Sequence, residues 1–322
     1  MDIVSLCYFK ELAKELHMTN TANRLHISQQ TLSNHIKRLE EHYGTLLFHR
    51  KPSLMLTYAG EQMLHFARNV VNEEKNIRDL ISEIENKEMG ALRFGASTAR
   101  GMVLLPEIIP KFNTRFPNVE IRFKDSLSSE LELLVENGDL DFAIVLPSYD
   151  KTSLIQQHIF KDQIYLCVPE SLLNKHYAYD EAQKVKKQSL EGADLSHFSR
   201  LPFSLYNNRL GDKIKICFES AGFEPKVHFT TSYSQLLVPF CAQGISACFI
   251  TRMNLSEVMD QFEGKVNVFQ LHHNGQPFVQ NISIIHHKQR YLPHYGKHFL
   301  EILCEHFEML EKSPSLGRLS LI

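Results

Sequence analysis

The sequence predicts an α/β multidomain chain: a small all-α winged helix-turn-helix domain, a linker helix, and two α/β lobes enclosing a cleft. Three observations predict it. In "TANRLHISQQTLSNHIKRLE", Thr21 to Glu40, two apolar-periodic segments flank a short corner. From Tyr58 to about Met89 there is no proline and no glycine after residue 60, while apolar residues recur in mixed steps of three and four. After Gly90 short extended runs alternate with helical ones, the pattern of layered α/β structure. The expected boundaries are 1–57 for the head, 58–89 for the linker helix, 90–162 plus about 270–312 for lobe I, and 163–269 for lobe II.

A chain of 322 residues is long for one domain and predicts two or three compact units. A formal charge of -2 gives no global basic signal, so any nucleic-acid binding must be local. The start "MDIVSLCYFKELAKEL" has the features of neither a signal nor a transit peptide. No apolar run approaches the roughly 20 residues of a membrane helix. A cytoplasmic protein without membrane contact is expected.

Element by element, Leu6, Phe9, Leu12, Ala13 and Leu16 give the first helix its apolar face. Ala22 and Leu25 mark the second helix, "HISQ" the corner, and Leu32, Ile36 and Leu39 the third. Ser28 is a good N-cap for that third helix. "LLFHRKPSLMLT" then supplies a wing with a proline-containing turn. Along the linker, Met63, Phe66, Ala67, Val70, Ile77, Leu80, Ile81 and Ile84 form a stripe that predicts a two-helix coil between subunits, the alternative being packing on its own domain. "ALRFGAS", "VEIRFKD" and "DFAIVLP" are strands separated by helices, a βαβαβ order that implies a parallel doubly wound sheet. A second run begins at "IYLCVP" and crosses a polar stretch, Asp180 to Asp194, which reads as surface. It resumes through "KIKICFESAGF", "KVHFTTS" and "QLLVPFCAQGISACFI", and ends in a strand and a long amphipathic helix.

Chemistry concentrates in two places. Gln29, Gln30, Thr31, Ser33 and Asn34 occupy the first turns of the third helix on faces that Leu32 and Ile36 do not use. Gln and Asn can pair bidentately with adenine, and Ser or Thr accept either base. Lys37, Arg38, Arg50 and Lys51 are placed to hold phosphates, which orient without specifying. With Thr21 and Ser28 these residues form the expected face for double-stranded DNA; the alternative is a plain solvated face. In the lobes, Ser97 and Thr98 follow the first strand, and Thr231 and Ser232 follow its counterpart in "TTSYS". Hydroxyls at helix N-termini bind anions, and open α/β sheets take ligands at strand carboxyl ends. The candidate ligand set adds Ser126, with Leu146, Pro147, Phe203 and Ser204 as pocket lining. Two readings stay open: an anion clamp, or helix caps. Arg100 either pairs a carboxylate or lies on the surface.

The remaining motifs are negative. There is no G-x-S-x-G, Walker or G-x-G-x-x-G loop and no H-E-x-x-H, so no enzyme is expected. The six cysteines, at 7, 167, 217, 241, 248 and 304, show no C-x-x-C and no zinc spacing, and neither metal nor cofactor is expected. They read as small buried hydrophobes, with a redox-sensing pair drawn from Cys217, Cys241 and Cys248 as the alternative. A solute-binding protein without DNA function would share the lobes but needs a secretory signal and no helix-turn-helix.

Taken together, "LHISQQTLSNHIKRLEEHYGTLLFHR", "LTYAGEQML", "LRFGASTARGMVLLPEIIPKFNTRFPNVEI" and "GDLDFAIV", in that order and at those separations, resemble the LysR-type transcriptional regulators over almost the whole chain. The resemblance implies an N-terminal DNA-binding domain, a dimerising linker helix, and a two-lobed effector domain like the periplasmic binding proteins. It also implies a small-molecule effector, self-assembly to dimers or tetramers, and an interrupted dyad site near a promoter. Three positions depart from the family pattern. Asn23 stands where a second alanine is common, Gln30 where proline is usual, and Asn34 where arginine or lysine is frequent. The wing "RKPSLM" is one residue shorter than common, so the usual basic residue near its tip is either replaced by Lys51 or missing.

Overall fold

The structure, a computed structural model, describes residues 2–85, 89–148, 152–262 and 264–312. These fall into two compact units. One contains the chain up to residue 85 together with Gln289–Pro293, and the other contains the remaining described residues.

The first unit opens with α1 (Ile3–Glu15), α2 (Met18–Arg24) and α3 (Gln29–Tyr43). The Asp2 carboxylate caps α1 by accepting the Ser5 amide at 2.7 Å. Leu16 ends that helix in the left-handed region, φ 50°, which turns its side chain outward, 39% exposed, rather than onto the apolar face expected of it. Ser28 caps α3, its hydroxyl accepting the Thr31 amide at 3.0 Å, and Gly44 stops it at φ 65°, a conformation glycine adopts without a Cβ penalty. Leu6, Phe9, Leu12, Ala22, Leu32, Ile36 and Leu39 interlock as the core, closed by Leu47 and Phe48. Strands β1 (Phe48–His49) and β2 (Met55–Leu56) pair antiparallel as the wing.

Helix α4 (Tyr58–Ile84) follows, capped by the Thr57 hydroxyl accepting the Gly60 amide. It starts hard against the wing: a Cβ on Gly60 would lie 2.1 Å from the Leu47 carbonyl oxygen. The apolar stripe divides into two stretches with different neighbours. Met63 and Ala67 are buried in the head's core, with Val70 and Val71 packed beside them, whereas Phe66 in the same stretch and Ile77, Leu80, Ile81 and Ile84 beyond it remain exposed. The stripe is therefore not one continuous intersubunit seam. A 27-residue helix is about 40 Å long, more than a three-helix head can cover. Farther along, Asn76, Asp79 and Glu83 receive the segment 289–293: Arg290 donates to the Asn76 side chain at 2.6 Å and pairs with Asp79, and the Tyr291 hydroxyl donates to Glu83 at 2.6 Å.

The second unit runs β3 (Gly90–Ala96), α5 (Thr98–Arg115), β4 (Val119–Asp125), α6 (Ser128–Glu136), β5 (Phe142–Val145) and β6 (Leu154–Pro169). It continues with α7 (Glu170–His176), α8 (Tyr179–Ser189), β7 (Pro202–Tyr206), α9 (Arg209–Ser220), β8 (Lys226–Thr231) and α10 (Ser234–Ala242). The last elements are β9 (Cys248–Thr251), α11 (Arg252–Phe262), β10 (Val266–Gln270), β11 (His272–His273), β12 (Gln276–Pro277), β13 (Val279–His287) and α12 (His294–Lys312). The sheet is mixed rather than parallel. β4 and β5 flank β3 in parallel, but β13 runs antiparallel to both β5 and β6. The reason is that β6 and β13 carry the chain from one lobe to the other and back, so they traverse in opposite directions. β6 is 16 residues long and serves both lobes: residues 154–163 pair with β13, and 164–169 pair with β9 and β10. β7 and β8 complete lobe II as a parallel pair.

The polar stretch from Asp180 is a helix with a buried side. Ala182 and Val185 of α8 enter the lobe II core, so the stretch is only half surface.

Candidate nucleic-acid interface and ligand cleft

On α3, Gln29, Gln30, Thr31 and Asn34 are exposed and Ser33 half-exposed, because Leu32, Ile36 and Leu39 take the opposite face into the core. These polar groups are mutually braced. Thr19 donates to the Gln29 side-chain oxygen Oε1 at 3.1 Å, Gln30 donates to the Asn34 side chain at 3.0 Å, and the Ser28 and Thr31 hydroxyls lie 2.8 Å apart. Lys37 lies 3.5 Å from Glu41 across one turn, and Arg38 and Lys51 are exposed. Arg50 pairs with the buried Glu40 at 3.2 Å while staying 58% exposed itself.

Thr21 does not join this face. It is fully buried, its hydroxyl donating to Glu15 at 2.8 Å, and it ties α2 to the end of α1. Ser28 serves as the cap of α3.

In the second unit a cleft of about 500 Å³ lies between the lobes. Ser97, Thr98, Arg100, Ser126, Leu146 and Ser232 all line it. Ser97 occupies the N-cap of α5 but makes no capping bond with its hydroxyl. Thr98 donates to Asp125 at 3.3 Å, Ser126 to Glu130, and Ser232 to the Asn207 carbonyl at 3.0 Å.

Arg100 is buried, not on the surface: it is 8% exposed within the first turn of α5. Among the described residues no group hydrogen-bonds its guanidinium. Burial lowers its pKa, opposed only by the charge of Asp162. Asp162, 1% exposed, sits on β6 at the crossing between lobes, and its carboxylate accepts the Met253 amide and the Gln280 amide group, each at 3.1 Å. Burial raises its pKa; those bonds and Arg100 pull it back.

Four expected lining residues lie elsewhere. Phe203 is wholly buried in lobe II, 4.9 Å from the Phe218 ring and stacked on Phe249, and Ser204 is buried with its hydroxyl 2.6 Å from that of Ser246. Both stand mid-strand in β7, which is covered on both faces. The cleft meets that strand only at its carboxyl end, through Tyr206 and Asn208. Thr231 spends its hydroxyl accepting the Tyr233 amide at 3.1 Å, making the turn into α10. Pro147 lies past the end of β5, where the chain turns to bring Ser148 onto Glu132, and it does not line the cleft.

Sequence reasoning missed Asp162, Asn208, Arg209 and Tyr233, all of which line the cleft. "NNRLGD" carried a usable signal: Asn208 caps α9 by accepting the Leu210 and Gly211 amides, which places Arg209 at a strand's carboxyl end.

Cys167, Cys217, Cys241 and Cys248 are core residues, whereas Cys7 and Cys304 are half-buried. Cys167 and Cys248 face each other across β6 and β9, Cys241 donates to the Cys167 carbonyl, and all three are 0% exposed. Burial raises the Cys167 and Cys241 thiols well above their usual range, while their hydrogen bonds lower that of Cys248. Cys217, on α9, is pushed up to about 12 by burial. Thiolates are the reactive form, and none of these sulfurs combines thiolate character with access to solvent. Among the described residues no helix is long and apolar enough to cross a membrane.

Residues 3–61 match the family described as bacterial regulatory helix-turn-helix protein, lysR family, and residues 85–308 match the LysR substrate binding domain. Over 267 residues the chain is 26% identical to the uncharacterized HTH-type transcriptional regulator YcgK of Bacillus subtilis, covering 79% of this chain and 81% of that one. It is also 26% identical over 245 residues to the DNA-binding transcriptional dual regulator OxyR of Escherichia coli, covering 76% and 77%. A full-length OxyR variant from Pseudomonas aeruginosa has the same fold, with a TM-score of 0.69, 20% identity and coverage of 96% and 95%.

Proposed function

The chain belongs to the LysR family of DNA-binding transcriptional regulators, and from that premise we propose that a small carboxylate-bearing metabolite, bound between the lobes, controls it. The observation that carries this reading is Arg100. A guanidinium has five N–H donors, and leaving a buried charge without partners is costly. Arg100 is buried, faces the cleft and has none of its donors engaged among the described residues. A planar carboxylate supplies the acceptor geometry that a guanidinium matches bidentately. Ser97 and the free amides that begin α5 add donors on the same side, where the helix dipole favours negative charge.

At the other end of the chain, α3 reads base edges through Gln29, Gln30, Ser33 and Asn34, while Lys37, Arg38 and Lys51 hold phosphates. The exposed part of the linker stripe pairs two subunits and so presents two α3 helices to an interrupted dyad. The protein acts in the cytoplasm, where its DNA is, by binding rather than catalysis. The effector shifts its equilibrium only as far as it binds one arrangement of the lobes better than another. A redox reading finds no support in Cys217, Cys241 and Cys248, which are buried and held protonated or enclosed by other thiols.

The test is a thermal-shift screen of organic acids and amino acids. It should find a stabilising ligand whose effect Arg100→Met removes and Ser97→Ala weakens. A ligand whose stabilisation survives Arg100→Met would remove the carboxylate reading while leaving DNA binding intact.

A further inference from the structure

Two arginines line the cleft, and they are used in opposite ways. Arg100 has no hydrogen-bond partner among the described residues. Arg209, at the first position of α9 in lobe II, has its guanidinium committed to lobe I: one nitrogen donates to Glu132 and, at 2.7 Å, to the Leu146 carbonyl, and the other donates to the second Glu132 oxygen at 2.7 Å. Glu132, on α6, is 2% exposed, and it also accepts the Ser148 amide at 2.9 Å and the Ser148 hydroxyl at 3.3 Å. Its acceptor capacity is therefore filled from both lobes. A bidentate arginine–carboxylate pair is directional as well as strong, and a buried glutamate that loses its arginine is left uncompensated.

We propose that Arg209 is a positioning residue of the cleft: through Glu132 and the Leu146 carbonyl it straps the lobes together in the ligand-free protein, so the ligand enters a preformed pocket and meets Arg100 there. The inference rests on the reading of the cleft as the effector site. The strap spans 77 residues of sequence to Glu132 and 63 to Leu146, so it joins parts of the fold that neither lobe's own core holds together. Beyond it, the lobes also touch across the cleft where the Gln235 amide meets the Met102 sulfur at 3.3 Å, a contact with a weak acceptor. Holding the lobes closed in advance removes part of the ordering cost from the binding step. It also explains the division of labour: Arg209 is occupied and unavailable to a ligand, whereas Arg100 is available.

The experiment measures the rate at which phenylglyoxal labels Arg100 in the full ligand-free chain, read by peptide mass spectrometry, in wild type, Glu132→Gln, Arg209→Ala and Arg209→Lys. Glu132→Gln keeps the side-chain shape and leaves Arg209 in place, so any gain at Arg100 reports opening of the lobes rather than removal of bulk. Labelling of Arg100 should rise roughly tenfold in Glu132→Gln and Arg209→Ala, the population change that loss of a charge-assisted bond produces. Arg209→Lys, which can still reach Glu132 with one ammonium, should fall between these and wild type. Labelling of Arg122, an exposed residue of lobe I, should be the same in all four, which controls for reagent activity, and a cooperative melting transition in each reports that the variants are folded. Unchanged labelling of Arg100 in Glu132→Gln overturns the strap, whatever Arg209→Ala does. This readout contains no effector, so it fails or succeeds independently of the carboxylate reading, which Arg100→Met tests.

Discussion

The Arg50 guanidinium lies 3.2 Å from one carboxylate oxygen of Glu40, whose other oxygen accepts the backbone amides of Leu47 and Phe48. Glu40 is buried and Arg50 largely exposed, so the two ends of this pair carry different weight. Glu40→Ala leaves two buried wing amides without an acceptor and should cost about 1–3 kcal/mol of head-domain stability in chemical denaturation. Arg50→Ala removes only the exposed partner and should cost about 0–1 kcal/mol. If Arg50 also holds phosphate, that variant should weaken binding to all DNA sequences alike and flatten the salt dependence. A salt slope unchanged from wild type would reduce Arg50 to a brace of the wing.

Gln29→Ala should cost about 1–3 kcal/mol at the cognate site and little on random DNA, because a base contact discriminates where a phosphate contact does not. Competition binding with both duplexes measures the ratio. Equal losses on the two would remove the base-reading role. Gln30→Ala should disturb Asn34 as well, since the two side chains are hydrogen-bonded, and a double-mutant cycle should show them non-additive.

For subunit pairing the useful positions are at the far end of α4. Val70 packs beside the head's own core, so a charge there would test folding rather than assembly. Ile77→Glu with Ile81→Glu places charges on residues that are 53% and 50% exposed. Light scattering should then report a smaller particle, and DNA affinity should drop steeply, while the head's unfolding transition stays where it was. An unchanged mass would exclude this stretch as the seam.

Arg100→Met should leave the ligand-free protein at least as stable as wild type near pH 5, because a buried cation without hydrogen bonds is replaced by an apolar side chain of similar length. The same change removes the charge that holds the Asp162 carboxyl down against burial. Asp162 then titrates higher still in the folded state than in the unfolded chain, where 3.8 is the ordinary value. Between those two values the folded state binds more protons, so stability falls as pH rises. Melting curves from pH 5 to 8 should therefore show the variant's advantage shrinking with pH. An advantage that stays constant from pH 5 to 8 would mean that the two groups do not interact.

The amino-acid sequence determined the local pieces. Helix α3 was legible because Leu32, Ile36 and Leu39 recur at helical spacing behind a serine cap, and its polar head followed from the faces those residues leave free. The order of head, long helix and α/β lobes was likewise written in periodicity and in the placing of glycine and proline. Tertiary structure decided which side of each piece meets protein and which meets solvent. Thr21 looked available until Glu15, six residues earlier, took its hydroxyl inward. Phe203 and Ser204 alternate along a strand covered on both faces, so alternation could not say which of them met a ligand. Arg100 could not be distinguished from a surface arginine until α5 was packed against α11 and α12 and its guanidinium brought under the influence of Asp162 on β6, and Arg209 found its partner only across the cleft. Hydrophobic period and capping act over three or four residues, but burial and ion pairing depend on partners tens of residues away, brought near only when β6 and β13 carry the chain between the lobes.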